Sequence, residues 1–161
     1  MVAITATQLS KVVKFDDMNL MDTVVSGIVT DIAAAYTLAV TAGAVAGATI
    51  VVGAEDTNVR PITIQLTDSA GADLAVVSTF IMCVFADAAG AAFATTGGST
   101  GMAIGTDGAL LALVAKKVFI CTSEADGDWD GTWTDTGTEA AYLGVVLPNG
   151  RVTISAAMTN G

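Results

Sequence analysis

The sequence predicts an all-β protein, an antiparallel β-sandwich preceded by an N-terminal segment of different character. Three observations lead to this fold class. Short apolar runs alternate with polar residues at a period of two, turn-forming residues separate these runs, and glycine is frequent, with 17 in a chain of 161 residues. Gly together with abundant Ala and Val favours thin strands and tight turns over a core of bulky side chains.

The first clear strand is predicted at 62–67, where Ile62, Ile64 and Leu66 alternate with polar residues. An Asp-Ser-Ala-Gly turn follows it, because Asp and Ser bond to the nearby backbone and Gly accepts positive φ. This strand-and-turn pattern continues to the C terminus, whereas most of the preceding chain lacks it.

We therefore expect a domain boundary at residue 58. Residues 1–57 would form an N-terminal arm, a short helical or extended segment used for anchoring and oligomerisation, and residues 58–161 would form the sandwich.

The strands of the predicted sandwich are short. A run at 75–85 is apolar on both faces, as for a strand in the centre of a sheet. A loop of small residues follows at 86–101, with Phe93 as its one expected anchor, and an acidic turn is predicted at 124–131. Further strands are predicted at 109–114, 118–122, 141–147 and 151–158, the last two joined by a Pro-Asn-Gly turn. About seven short strands with regular turns are typical of an immunoglobulin-like sandwich.

The N-terminal segment has a helical pattern from Asp16 onward, and Asp16 or Asp17 could cap such a helix. Gly27 and several β-branched residues weaken it, so a pair of strands is the alternative. An isolated helix of this kind would be marginally stable, so a partner surface has to cover its apolar stripe. That stripe comprises Met18, Met21, Val25, Ile28 and Ile32.

The run at 32–54 contains no charged residue and is long enough to span a bilayer. It consists largely of Ala, Gly, Thr and Val, and acidic residues rather than Lys or Arg flank it. We therefore expect strands at 36–41 and 48–53, and no membrane partner.

The charge of the chain argues against several classes of function. There are 16 acidic and 6 basic residues, a formal net charge of -10, and a single adjacent basic pair, Lys116-Lys117. Binding to nucleic acid needs clustered Lys and Arg, so we expect no nucleic-acid partner. The chain has no His, the usual general base and the commonest metal ligand. Cys83 and Cys121 lie in apolar runs and are expected to be reduced core residues, with a disulfide as the alternative.

The best candidate for a ligand site is the acidic turn DGDWDG, in which Asp126, Asp128 and Asp130 match the start of a calcium-binding loop. Gly137 occupies the position where a bidentate Glu should close that loop, so a solvated turn is the preferred interpretation and a weak divalent site the alternative. Trp129 and Trp133 share one strand face and are expected to pack in the core rather than bind a sugar or a partner. No catalytic residues are predicted, and we expect neither enzymatic activity nor a cofactor.

A family resemblance is carried by four segments of the second half, ITIQLTDSAGADLA, GTDGALLALVAKKVF, TSEADGDWDGTWTDTG and YLGVVLPNGRVTISAAMT. Together they resemble the Ig-like structural proteins of tailed-phage virions, over roughly residues 58–159. The resemblance implies a non-enzymatic capsid decoration protein or head or tail appendage, made in the host cytoplasm and located on the capsid surface.

Under this resemblance the expected partners are the major capsid protein and further copies of the chain, with a trimer favoured because capsids offer local threefold sites. The apolar stripe of the N-terminal segment would then be the capsid or oligomer interface. The alternative is a carbohydrate- or receptor-binding module of a phage fibre or cell-surface protein. Exposed tryptophans would favour that alternative, and buried ones would favour decoration.

Overall fold

The computed structural model describes Thr30 and residues 44–161. The apolar stripe predicted at Met18, Met21, Val25, Ile28 and Ile32, its helix and the strand predicted at 36–41 therefore lie outside the described residues. The residues from 44 onward belong to a compact unit that spans Thr41–Gly161.

Between residues 44 and 161 every regular element is a strand. The nine strands are β1 (Gly47–Val52), β2 (Val59–Thr67), β3 (Thr79–Phe85), β4 (Gly101–Ile104), β5 (Ala109–Val114), β6 (Val118–Thr122), β7 (Asp128–Thr134), β8 (Ala141–Val146) and β9 (Val152–Met158). They form a four-stranded sheet of order β1-β2-β7-β4 and a five-stranded sheet of order β5-β6-β3-β8-β9, and every pairing is antiparallel. The predicted all-β antiparallel sandwich is thus confirmed.

The core lies between the two sheets, and on β2 and β7 it is built by alternation of buried and less buried positions. Ile62, Ile64 and Leu66 of β2 are fully buried, as their spacing predicts. Trp129 and Trp133 of β7 are also fully buried, on the same side of the sheet. The ring of Trp129 meets Phe80 of the opposite sheet edge-on, with centroids 6.4 Å apart. Large aromatic side chains therefore join the two sheets at the centre of the sandwich.

β1 is part of this sandwich, although it lies before the boundary expected at residue 58. It pairs with β2 over six residues, from Gly47 opposite Thr67 to Val52 opposite Ile62. Because β2 is an inner strand, β1 protects one of its two edges. Among the described residues, no helix is long and apolar enough to cross a bilayer, and the end of the uncharged run at 32–54 forms this edge strand.

β3 is shorter than the apolar run at 75–85 that predicted it. It begins only at Thr79, and Val76 and Val77 are exposed. The physical reason is that its neighbour β6 ends at Thr122, the residue opposite Thr79, so no ladder extends further. The prediction that this strand is central in its sheet is correct, because β3 lies between β6 and β8.

Two further elements differ from the sequence prediction. The long loop after β3 ends in a strand, β4, which pairs with β7 from Gly101 opposite Thr134 to Ile104 opposite Gly131. The acidic turn expected at 124–131 is shorter, because β7 already begins at Asp128. Gly127 closes the turn with a φ of 81°, a conformation that favours Gly.

Both cysteines are free and buried. Cys121 of β6 belongs to the core between the sheets, and burial raises the pKa of its thiol to about 12. Cys83 of β3 lies outside that core cluster, and burial also raises its thiol pKa. Neither thiol is activated as a nucleophile.

Candidate interaction surface

The five-stranded sheet has no charged residue in any of its strands. In contrast, the four-stranded sheet carries Arg60 on β2 and Asp128 and Asp130 on β7. An antiparallel sheet with one face in water normally alternates apolar inward positions with polar outward ones. The outward face of the five-stranded sheet departs from that rule, so we refer to it as the uncharged face.

An apolar row crosses the uncharged face from edge to edge. The pairing registers place Leu111 of β5 opposite Ile120, Ile120 opposite Ile81 and Ile81 opposite Val146. Val146 in turn lies opposite Val152 of β9. Leu111 is 62% exposed, Val152 51% and Ile81 40%. Side chains directly opposite one another on adjacent strands are in contact distance, so the row forms one continuous apolar surface.

A groove follows part of this row. Its volume is about 340 Å3, and it is lined by Thr79, Phe80, Ile81, Ile120, Val146, Leu147 and Pro148. None of these side chains is charged, so the groove suits an apolar occupant.

The edge strand β5 extends the apolar surface to the border of the sheet. The register between β5 and β6 shifts between Ala112 and Val114, and Leu113 and Val114 are both exposed. An uncharged and exposed edge strand is prone to bind another chain, and proteins usually protect such edges with charges or Pro. β5 has neither charge nor Pro, and the register shift is the protective irregularity along it.

The other end of the uncharged face is covered by the loop after β3. The ring of Phe93 stacks on Phe85 at 5.6 Å and an interplanar angle of 14°. Phe93 thus anchors the loop as predicted, although its own side chain is half exposed. A Cβ at Gly144 would lie 2.3 Å from the ring of Phe85, so Gly allows this ring to lie flat over β8. The open part of the face is therefore the row from Leu111 to Val152.

The predicted ligand residues of the acidic turn accept hydrogen bonds from backbone N–H groups, of their own turn for Asp126 and Asp128 and of the loop before β5 for Asp130. The Asp128 N–H donates to Oδ1 of Asp126 at 3.3 Å, and the Trp129 N–H donates to Oδ1 of Asp128 at 2.8 Å. The Asp107 N–H donates to Oδ1 of Asp130 at 2.6 Å. Within 44–161, no group of three or more acidic or Cys side chains is arranged to hold a metal ion. The three aspartates act here as turn and loop supports.

The same carboxylates repel one another. Burial raises the pKa of Asp128, the hydrogen bond from the Trp129 N–H opposes this rise, and the charges of Asp107, Asp126 and Asp130 add to it. This end of the sandwich also has an open cavity of about 460 Å3, lined by Ala75, Asp107, Glu124, Ala125 and Asp126. The acidic surface therefore lies at the end of the sandwich where β5 begins and β6 ends, so it borders the uncharged face without being part of its strands.

Glu139 is a structural residue that the sequence did not single out. Its carboxylate accepts hydrogen bonds from the backbone N–H groups of Thr96 (2.9 Å), Gly97 (3.0 Å) and Gly98 (3.2 Å), and from the Thr96 hydroxyl. Burial alone would raise the pKa of Glu139, but these hydrogen bonds outweigh burial and lower the pKa. The charged carboxylate therefore holds the Gly-rich loop against the rest of the sandwich.

Replacing Glu139 with Gln is expected to reduce the free energy of unfolding by about 1–2 kcal/mol at neutral pH. Because the pKa of Glu139 is lowered in the folded state, its contribution is present above the pKa of the unfolded chain. It is lost as the pH falls through the folded-state pKa. Urea unfolding of both proteins between pH 7 and pH 3 should show the difference shrinking on acidification. A difference of equal size at every pH would contradict this role for the charge.

The two tryptophans contribute no exposed aromatic surface. The indole Nε1–H of Trp129 donates to the Ala109 carbonyl at 3.1 Å, and that of Trp133 donates to the Gly97 carbonyl at 3.1 Å. Each ring is fully buried and its polar atom is satisfied. The prediction of core packing is confirmed for both.

The comparisons with protein-family models, curated proteins and solved structures find no match for this chain. The functional interpretation thus depends on the chain's own surfaces. The uncharged face is the feature that sequence reasoning missed, and a signal was present: the five segments contain no charge where a solvated sheet face should carry some.

Proposed function

We propose that this protein is a structural subunit of a tailed-phage virion, specifically a capsid decoration protein with an Ig-like sandwich and no enzymatic activity. The observation that carries the proposal is the uncharged face. An exposed apolar surface of this extent on a strongly acidic chain is typical of a protein that is covered by another protein in its assembled state.

The strand order supports the Ig-like part of this proposal. In an Ig constant-type domain the sheets have the orders A-B-E-D and C-F-G. The orders β1-β2-β7-β4 and β3-β8-β9 reproduce them with the strands in the same sequence along the chain. β5 and β6 are then an additional hairpin, inserted between strands D and E and paired to the free edge of strand C. The chain departs from two hallmarks of Ig domains, a tryptophan on strand C and a disulfide between the sheets. Its tryptophans lie on β7, and both of its cysteines are free.

The buried tryptophans favour decoration over the alternative of a carbohydrate- or receptor-binding module. Sugar-binding surfaces use exposed aromatic rings, and neither indole ring reaches the surface. The large exposed side chains of the uncharged face, Leu111, Ile81 and Val152, are aliphatic, and the exposed Thr79 lies beside Ile81 on β3, which suits contact with another protein.

In this proposal the N-terminal segment binds the major capsid protein on the outer shell. Its stripe of Met18, Met21, Val25, Ile28 and Ile32 supplies apolar side chains for that contact. The subunit is made in the host cytoplasm. On the capsid the N-terminal segments also hold the copies together, with a trimer expected from the symmetry of capsid sites, and this contact is separate from the uncharged face.

The test is binding to purified capsids that lack the protein, measured by co-sedimentation against increasing protein concentration. We expect saturable binding at a fixed ratio to the capsid subunit. A variant that lacks residues 1–35 should lose most of this binding. Saturation by the truncated protein at unchanged affinity would contradict the role of the N-terminal segment, and no saturable binding by the full chain would contradict the proposed function.

A further inference from the structure

We propose that the uncharged face is a self-association interface, on which the same face of a second copy of this chain packs. This inference names a surface through which copies of the proposed virion subunit associate. It rests on the proposed function for the biological role of that contact. Its test, however, needs no capsid.

Charge is the first argument for a second copy as the occupant. Each chain carries a net charge of -10, so two copies repel each other wherever their acidic surfaces meet. The strands of the uncharged face contain no charge that would have to be buried or paired on contact. Among the surfaces of residues 44–161, this face therefore offers two copies a contact of low electrostatic cost, with Asp107 and Glu124 at its border.

Complementarity is the second argument. An apolar row fits best against another apolar row, and the described chain itself presents one, from Leu111 through Ile81 to Val152. A contact between two identical faces is isologous, and a twofold axis relates the two copies. The same side chains then serve on both sides, with aliphatic side chains interdigitating as they do between packed sheets.

The size of the face is the third argument. Five strands about 4.8 Å apart, with about six residues each and a rise of about 3.3 Å per residue, form a surface of roughly 480 Å2. Two such faces bury at most about 960 Å2, because the loop after β3 covers the end of each face beside Phe85 and Gly144. Stable biological interfaces begin at about 1,000 Å2. The area is therefore that of a weak dimer, which forms and dissociates with concentration.

The decisive variant is Leu111→Lys, measured in the full-length chain by sedimentation velocity and native mass spectrometry. Leu111 is exposed, so Lys is tolerated in the isolated subunit, whereas in the dimer two ammonium groups would be buried in an apolar contact. Lys also makes the net charge less negative, so weaker association could not be attributed to greater overall repulsion. Ile81→Lys provides the same test at the centre of the face.

The matched control is Val51→Lys on β1. Val51 is 55% exposed, close to the 62% of Leu111, and it belongs to the four-stranded sheet. Val51→Lys and Leu111→Lys change the net charge by the same amount, and they differ only in the sheet on which the new Lys lies. Circular dichroism and thermal unfolding should show that all three variants keep the fold.

We expect the wild-type chain to assemble with an even number of copies. Leu111→Lys and Ile81→Lys should halve the assembled mass and raise the dissociation constant more than about tenfold, while Val51→Lys should leave both unchanged. A wild-type chain that is monomeric or has an odd number of copies would overturn the inference. So would an unchanged mass in the two face variants, or an equal loss in the control.

The identity of the occupant is tested separately by placing a photo-crosslinking amino acid at position 111 of the otherwise wild-type chain. Crosslinks to any strand of the five-stranded sheet of a second copy support the inference, and crosslinks to residues 1–43 or to the four-stranded sheet overturn it. The two proposals can fail separately. If the chain dimerises through this face but does not bind capsids, the proposed function fails and the inference stands. If the chain saturates capsids but Leu111→Lys leaves the mass of the assembled protein unchanged, the inference fails and the proposed function stands.

Discussion

Replacing Trp129 with Ala is expected to lower the free energy of unfolding by about 3–5 kcal/mol. The indole ring is fully buried, meets Phe80 of the opposite sheet edge-on and donates a hydrogen bond to the Ala109 carbonyl. Its removal leaves a large cavity between the sheets and takes away the indole hydrogen bond to the Ala109 carbonyl of β5. In a domain of this size the loss corresponds to a decrease in melting temperature of about 10–20 °C.

Trp129→Phe separates the two causes of this loss. Phe keeps most of the apolar volume but has no N–H donor for Ala109, so it should be clearly less destabilising than Ala. Differential scanning calorimetry of the three proteins measures both effects. An Ala variant that melts within about 3 °C of the wild type, roughly 1 kcal/mol, would show that Trp129 does not hold the sheets together.

Replacing Gly97 with Ala is expected to cost more than about 3 kcal/mol, because two penalties coincide. The backbone of Gly97 has a φ of 74°, which residues with a side chain rarely adopt. A Cβ at this position would also lie 2.2 Å from the carbonyl oxygen of Lys116. That atom belongs to the backbone, so a change of rotamer cannot relieve the clash. The loop that accepts the indole hydrogen bond of Trp133 would have to move.

Gly71→Ala is the matched control for this prediction. Gly71 has a similar φ of 81°, but nothing lies within 4 Å of the point that a Cβ would occupy there. The Gly71→Ala variant therefore measures only the cost of placing Ala at positive φ, about 1 kcal/mol. Urea unfolding should give a clearly larger loss for Gly97→Ala than for Gly71→Ala. Equal losses would mean that the close approach of Lys116 is absent in solution.

The parts of the fold that local pattern determines were predictable from the sequence. Ile62, Ile64 and Leu66 alternate strictly, and β2 buries all three. The Pro-Asn-Gly turn separates β8 from β9 as expected, because its residues favour a turn whatever surrounds them. The spacing of Trp129 and Trp133 placed both on one strand face, and that face is the buried one.

The parts that depend on distant partners were not predictable. β4 has only four residues and begins at a Gly with a φ of 88°, so its sequence carries almost no strand signal. It is a strand because β7 offers it an unpaired edge. Conversely, Val76 and Val77 have strong strand propensity, yet no neighbouring strand extends far enough to pair with them.

The candidate surface depends on register in the same way. The apolar row exists because the pairing of five strands aligns Leu111, Ile120 and Ile81 with one another. Sequence alone gives five apolar segments and does not specify which side chains face outward together. The interface positions predicted in the N-terminal segment remain a prediction, since they lie outside the part of the chain that the structure describes.

The central claim is that an acidic sandwich associates with itself through a surface without charge, and the salt dependence of association tests this most directly. Sedimentation equilibrium of the full chain should be measured between about 0.05 M and about 0.5 M NaCl, since this range spans strong and weak screening. We predict that association strengthens with salt, because screening removes the repulsion between chains of net charge -10 while the apolar contact persists. The Leu111→Lys variant should stay dissociated throughout. Association that weakens as salt increases would reveal an interface held by charges and would contradict the claim.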